Sequence, residues 1–264
     1  MRNVALLLVL FCLVLSGNAT PIMPSFDGAP VGGWTTDRYQ PNTFADIGTF
    51  QGRNDVLRIG IDAAQGLGNR GGQNSQFYNT QGMQYLVSGG AGSVLSADLW
   101  IPEEWAIESN GSRRTDMWGI MQDGAANVSG YPILGFTNYG GVGMFRAWND
   151  SGSGSWQILS DNVQYGAWNS LAIVFTGTDY EYHVNGTNSW SNTVPAGTVG
   201  FKGLIMQAYN FNGDTSIPNS VTAGGVGNYD ANWANASQVP EPGTWLLSGL
   251  GLLGLGLWRR RQIS

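Results

Sequence analysis

The stretch Trp168-Asn-Ser-Leu-Ala-Ile-Val-Phe-Thr-Gly-Thr-Asp-Tyr-Glu-Tyr-His-Val-Asn-Gly186 decides the fold. Leu171, Ile173 and Phe175 alternate with smaller or polar residues, and Tyr180, Tyr182 and Val184 do the same after a Thr-Gly-Thr-Asp turn. Side chains on a strand point to opposite faces in turn, so each segment predicts a strand with one apolar face. Asn185-Gly186 is a strong hairpin signal, because both residues tolerate the positive φ that a two-residue turn demands.

The same period recurs outward along the chain. Strands are predicted at Val56–Ile61, Ser93–Ile101, Thr115–Met121, Ile133–Thr137, Gly143–Trp148, Trp156–Leu159, Leu171–Phe175, Tyr180–Val184 and Leu204–Tyr209. Turn pairs such as Gly89-Gly90, Asn110-Gly111, Asp123-Gly124, Gly140-Gly141 and Asn212-Gly213 separate them. No long window between residues 20 and 238 keeps a helical period. Forty glycines suit many tight turns, and 12% aromatic residues suit strands. So many short strands in one domain predict an all-β, two-sheet sandwich.

The tryptophan before a strand, followed by an aromatic strand closing on Val-Asn-Gly at residues 184–186, resembles the concanavalin A-like jelly roll of laminin G-like domains, legume lectins and related glucanases. The resemblance implies a domain over residues 20–238 that contacts polysaccharide.

Three predicted strands carry a charged residue two places before a tryptophan: Asp98 with Trp100, Asp116 with Trp118, and Arg146 with Trp148. Gln207 and Tyr209 repeat the spacing. Each pair shares one face of its strand. If these strands are neighbours, one sheet carries an aromatic floor beside Asp98, Asp116 and Arg146. Aromatic faces stack on the apolar sides of sugar rings, while carboxylates and guanidinium groups bond their hydroxyls. The competing reading is structural, since tryptophan fills sandwich cores and Asp–Arg pairs are ordinary ladder contacts.

Catalysis is not expected. Glucanases of the resembled family place acid and nucleophile on a Glu-x-Asp-x-Glu or Glu-x-Asp-x-x-Glu strand. No such stretch occurs. Glu103-Glu104 follows Pro102 in a loop, Glu108 stands alone, and Arg146 beside Asp98 and Asp116 suits ion pairs better than a general acid. His183, the single histidine, is expected to face solvent or bond a neighbour. With one histidine and no cysteine in the mature chain, zinc sites and nucleophilic triads are excluded. No cofactor is required. The resemblance admits Ca2+, for which Asp27 and Asp230 would meet if the ends of the domain pair.

The two ends of the chain carry addresses. Residues 1–19 hold Arg2, an apolar run from Val4 to Leu15 and a small-residue cleavage site ending at Ala19, the pattern of a secretory signal peptide read by signal peptidase. The only cysteine, Cys12, lies inside that run, so the exported chain uses no disulfide. Residues 239–264 hold Pro240-Glu241-Pro242, an uncharged run of 14 residues from Trp245 to Trp258, and Arg259-Arg260-Arg261. As a helix the run would extend about 21 Å at ~1.5 Å per residue, short of a ~30 Å hydrocarbon core. Four glycines inside it disfavour a soluble helix. A temporary membrane insertion is therefore expected, with the arginines on the cytoplasmic side.

These three parts in order resemble the PEP-CTERM sorting signal. The resemblance implies a Gram-negative bacterium, an exosortase partner, recognition at Pro240, Glu241 and Pro242, and a stop-transfer role for Arg259, Arg260 and Arg261. It also implies final residence at the cell surface or in the extracellular matrix.

Charge narrows the partners. Removing Arg2 and Arg259–Arg261 from 12 basic residues, and Glu241 from 18 acidic ones, leaves 8 against 17, a net charge of −9 for the exported domain. Such a surface repels phosphate backbones, which excludes nucleic acid. Three functions stay open: a non-catalytic polysaccharide-binding surface protein, which the sequence favours, a structural matrix or adhesion protein, and an unusual polysaccharide hydrolase or lyase.

Overall fold

The computed structural model describes Pro24, Phe26 and residues 32–67, 79–150, 154–160, 162–214 and 227–239. All of these lie in the unit Thr20–Glu241; a second unit, Met1–Ala19 with Pro242–Ser264, falls outside them. The signal peptide, Asp27, Pro240, Glu241, Pro242 and Arg259 to Arg261 are thus outside the described residues.

Among the described residues fifteen strands follow one another: β1 (Thr35–Thr36), β2 (Thr43–Asp46), β3 (Leu57–Ile61), β4 (Thr80–Gly89), β5 (Ser93–Ile101), β6 (Arg114–Asp123), β7 (Val128–Gly130) and β8 (Ile133–Thr137). They continue as β9 (Met144–Asn149), β10 (Ser155–Ile158), β11 (Ala167–Phe175), β12 (Asp179–Val184), β13 (Thr187–Thr193), β14 (Thr198–Tyr209) and β15 (Tyr229–Val239). One sheet has the order β1-β4-β14-β6-β8-β9-β10, with β7 on β6, and the other β13-β12-β11-β5-β15-β3-β2. Every pairing is antiparallel.

All nine predicted strands occur. β4, ten residues with Met83, Tyr85, Leu86 and Val87, is missing from that prediction, and the other missing strands are short or polar, as in β13 (Thr-Asn-Ser-Trp-Ser-Asn-Thr) and β15, whose apolar residues are interrupted by Asp, Asn, Ser and Gln. β13 follows β12 through Asn185-Gly186, with φ of 49° and 82°, as the turn chemistry requires. It is an edge strand, where polar residues meet water rather than a neighbour.

Alternation builds the core. Leu171, Ile173 and Phe175 of β11, Tyr180, Tyr182 and Val184 of β12, and Leu95, Ala97, Leu99 and Ile101 of β5 are all buried in one cluster. Met117 of β6, Leu134 and Phe136 of β8, Phe145 of β9 and Leu204 and Met206 of β14 meet them from the other sheet. Each buried Leu, Ile or Phe contributes about 1.5–3 kcal/mol. No helix among the described residues is long and apolar enough to cross a membrane.

A second, smaller cluster unites Trp118, Ile120, Ile133 and Ile205, with Tyr131, Trp148 and Trp156 packed against it. These residues alternate with the core residues of β6, β8, β9 and β14, so they cover the opposite face of the eight-stranded sheet.

Candidate functional site: the outer face of the eight-stranded sheet

Register turns alternation into two parallel rows across this face. Ile205, Trp118, Ile133, Trp148 and Trp156 stand opposite one another in successive strands. One step along, Gly82, Gln207, Asp116, Gly135, Arg146 and Ile158 form a second row. An aromatic row and a polar row therefore run side by side. Trp118, Ile133, Trp148 and Trp156 of the first row and Arg146 of the second line a groove of about 380 Å3, whose walls include Arg114, Tyr131, Tyr139, Tyr209 and Phe211.

The polar row is buried and closely bonded. Asp116 has no solvent exposure. Its Oδ2 accepts from Arg114 Nε at 2.7 Å and from Gln207 Nε2 at 2.5 Å. Asp116 Oδ1 and Gln207 Oε1 are shielded from water and have no partner. A Cβ at Gly135 would collide with Asp116 Oδ1, so glycine is what lets the carboxylate lie against the floor.

Arginines stack on the aromatic row. The guanidinium carbon of Arg146 is 3.8 Å from the Trp156 ring centroid, that of Arg114 is 4.8 Å from Trp156 and from Tyr209, and that of Arg38 is 4.4 Å from Trp118. Arg38 is paired with Asp37 at 2.6 Å, and Arg114 with Asp116. Arg146 enters no ion pair among the described residues, and its Nε is shielded without a partner. Burial, then the like charge of Arg114, push its pKa down to about 9, so it remains charged at neutral pH.

Core side chains hold the floor strands from beneath. Trp233 Nε1 donates to Thr115 Oγ1 at 2.9 Å, and Tyr182 donates its hydroxyl to Trp148 O at 3.0 Å. The Tyr229 hydroxyl lies 2.7 Å from Arg114 O and 2.6 Å from Tyr209 O, and accepts from Tyr209 N. Tyr209 donates to Asp214, and burial followed by that carboxylate raises its pKa.

The sequence-predicted residues divide between the sheets. Trp118, Arg146, Trp148 and Tyr209 line the groove, while Asp116 and Gln207 lie on the same face of the sheet with no solvent exposure. Asp98 and Trp100 do not. β5 lies between β11 and β15 in the seven-stranded sheet, so Asp98 and Trp100, alternating with buried Leu99 and Ile101, face away from it. There Asp98 pairs with Arg53 at 3.0 Å and accepts from Asn235 Nδ2 at 2.7 Å, while Trp100 packs edge-on against Phe50 and Trp168. The triplet spacing specifies a face of a strand, and pairing alone decides which sheet the strand joins.

The sequence reading missed Arg114, Tyr131, Tyr139, Trp156 and Phe211. Arg114 was legible, since it precedes Asp116 by two and so shares its face, and Trp156 stands in a predicted strand. Tyr139 and Phe211 arrive from loops, and no local pattern brings them there.

Other expected features are placed as follows. His183 Nε2 lies 3.1 Å from Glu181 Oε2, on the side of β12 away from Tyr182. Asp230 pairs with Arg58 at 3.4 Å. Among the described residues no three His, Cys, Asp or Glu side chains gather in a group able to hold a metal ion.

Two antiparallel sheets in this order, with a groove on one outer face, define a concanavalin A-like jelly-roll sandwich. Similar solved structures are the endo-β-1,4-glucuronan lyase from the fungus Trichoderma reesei, 10% identical over 83% of this chain and 94% of that one with a TM-score of 0.52, and the Bacillus licheniformis β-glucanase, 11% identical over 84% and 99% with a TM-score of 0.46. A third is the carbohydrate-binding module CBM66 from Bacillus subtilis, 14% identical over 67% of this chain and 91% of that one, TM-score 0.39. At such identities the likeness speaks for the fold alone. More particularly, residues 238–261 match the PEP-CTERM protein-sorting motif, so the chain carries the signal of an exported protein. No curated protein matches the chain in sequence.

Proposed function

We propose that this chain is an exported, exosortase-processed surface or matrix protein whose groove binds extracellular polysaccharide without cleaving it. The row Trp118, Trp148 and Trp156 carries this reading: three large aromatic side chains aligned on an outer face and lining one groove with the tyrosine hydroxyls of Tyr131 and Tyr139. Sugar rings supply both apolar faces and hydroxyl donors.

The same residues argue against hydrolysis. A glycosidase sets two carboxyl groups across the scissile bond, about 5–5.5 Å apart for retention or ~6.5–9.5 Å for inversion. Asp116 instead gives one oxygen to Arg114 and Gln207, and Asp214 accepts from Tyr209. Neither is presented as a carboxylic acid toward a bound sugar. The reading uses no metal ion, so binding should persist in chelator, and Ca2+ dependence would point to a separate site.

The test is retention of the full-length chain on a panel of insoluble and arrayed polysaccharides, with the same mixtures assayed for new reducing ends and for unsaturated sugar ends. Retention without product is expected. Product would replace the reading by a hydrolase or lyase, and no retention on any polysaccharide would leave a structural matrix role. For sorting, material recovered outside the cell should lack Arg259–Arg261. An intact C-terminus there would refute exosortase processing.

A further inference from the structure

Resting on the reading of the groove as a glycan site, we propose that its ligand is an acidic polysaccharide and that Arg146 receives a sugar carboxylate. Three guanidinium groups stack on the aromatic residues of this face, and two are already matched: Arg38 by Asp37 and Arg114 by Asp116. Arg146 makes no ion pair among the described residues: the Asp116 carboxylate attracts it from across Gly135 but is bonded to Arg114, and the Arg146 Nε is closed off from water without a partner. A shielded donor without an acceptor is costly, and stacking on Trp156 orients the guanidinium without supplying one. An incoming carboxylate would meet a planar fork of donors held flat against an indole, the geometry in which arginine bonds carboxylate bidentately.

The neighbouring atoms fit the rest of an acidic sugar. Gly135 lies opposite both Asp116 and Arg146 in the ladder, so no side chain stands between the carboxylate that lacks a donor at Oδ1 and the guanidinium that lacks an acceptor. Arg146 takes the acid group, while Trp148 in the adjacent row, also lining the groove, underlies the ring. A neutral glycan would stack on the tryptophan and leave the Arg146 donor unmatched. The chain is acidic overall, with a net charge of −6, so a polyanion would not be drawn by diffuse attraction. Its recognition must come from this one local pairing.

The experiment compares the full-length chain and its R146Q and R146K variants on polygalacturonate, polymannuronate and polyglucuronate, each beside the same polymer after carboxyl reduction. At least one polyuronate should bind, its reduced form about ten- to a hundredfold more weakly. R146Q should lose as much affinity for the acidic polymer, and R146K should recover part of it. Because the reduced polymers probe the unaltered protein, a variant that fails to fold cannot hide the answer. If neutral polymers bind the unaltered chain as well as their acidic parents, the proposal falls and the glycan reading stands. If no polymer of either kind, nor any other polysaccharide, is retained, both fall.

Discussion

Trp233 of β15 reaches across the core and donates its indole N–H to Thr115 Oγ1 of β6, 2.9 Å away. Thr115 in turn donates to Gln207 O at 2.8 Å. One hydroxyl thus ties the seven-stranded sheet to two strands of the other and pins Thr115 inward. Its neighbours Arg114 and Asp116 must then lie on the outer face, where Arg114 lines the groove.

Replacing Thr115 with valine keeps the shape and removes the hydroxyl. The indole N–H of Trp233 loses its acceptor in a fully buried site, at about 1–3 kcal/mol. T115V should therefore unfold at lower denaturant, and T115S should restore most of the loss. An unchanged midpoint for T115V would show that the bond contributes nothing.

Tryptophans on the two sheets should behave differently in binding. W148A is expected to weaken polysaccharide retention several-fold, because it removes a ring from the groove row. W100A should leave retention unchanged, since Trp100 packs with Phe50 and Trp168 on the other sheet. Equal losses from both would place the binding face wrongly.

D116A leaves Arg114, only 12% exposed, without its carboxylate. Losing one member of a buried pair costs about 3–5 kcal/mol, and the partial exposure of Arg114 favours the lower figure. Thermal unfolding should show a clear drop in Tm, smaller in D116N, whose amide still accepts from Arg114.

Alkaline titration reads the core tyrosines. Burial raises the pKa of Tyr180, Tyr182, Tyr209 and Tyr229 above the ordinary phenol value. In the unfolded chain these groups release their protons near pH ~10. Above that pH the unfolded state binds fewer protons than the folded one, so stability falls as pH rises, and it is unaffected near neutrality. Of the ten tyrosines, these four should ionise only as the fold is lost. Tyrosinate absorbance followed beside circular dichroism checks this, and full ionisation in a still-folded protein would contradict it.

Much of this molecule was legible along the chain. The alternations at Leu171–Phe175 and Tyr180–Val184 specified strands, Asn185-Gly186 specified a hairpin, and both sets of residues fill the core. The pairs Asp116 with Trp118, Arg146 with Trp148 and Gln207 with Tyr209 were read as sharing a surface, and they do. Asp98 with Trp100 followed the same spacing and went elsewhere. Polar strands such as β13 and β15 escaped notice because they gain their hydrogen bonds from neighbours rather than their shape from apolar residues.

By itself the sequence determined period, turn positions and the sorting address at residues 238–261, because each depends on residues close together in the chain. Only the tertiary structure decided which strands became neighbours, that Gly135 stands between Asp116 and Arg146, and that Arg114 forms an ion pair at the groove while Arg146, among the described residues, forms none. Those relationships are made by hydrogen-bond ladders between segments far apart in the chain, and a strand's own pattern carries no record of its partner.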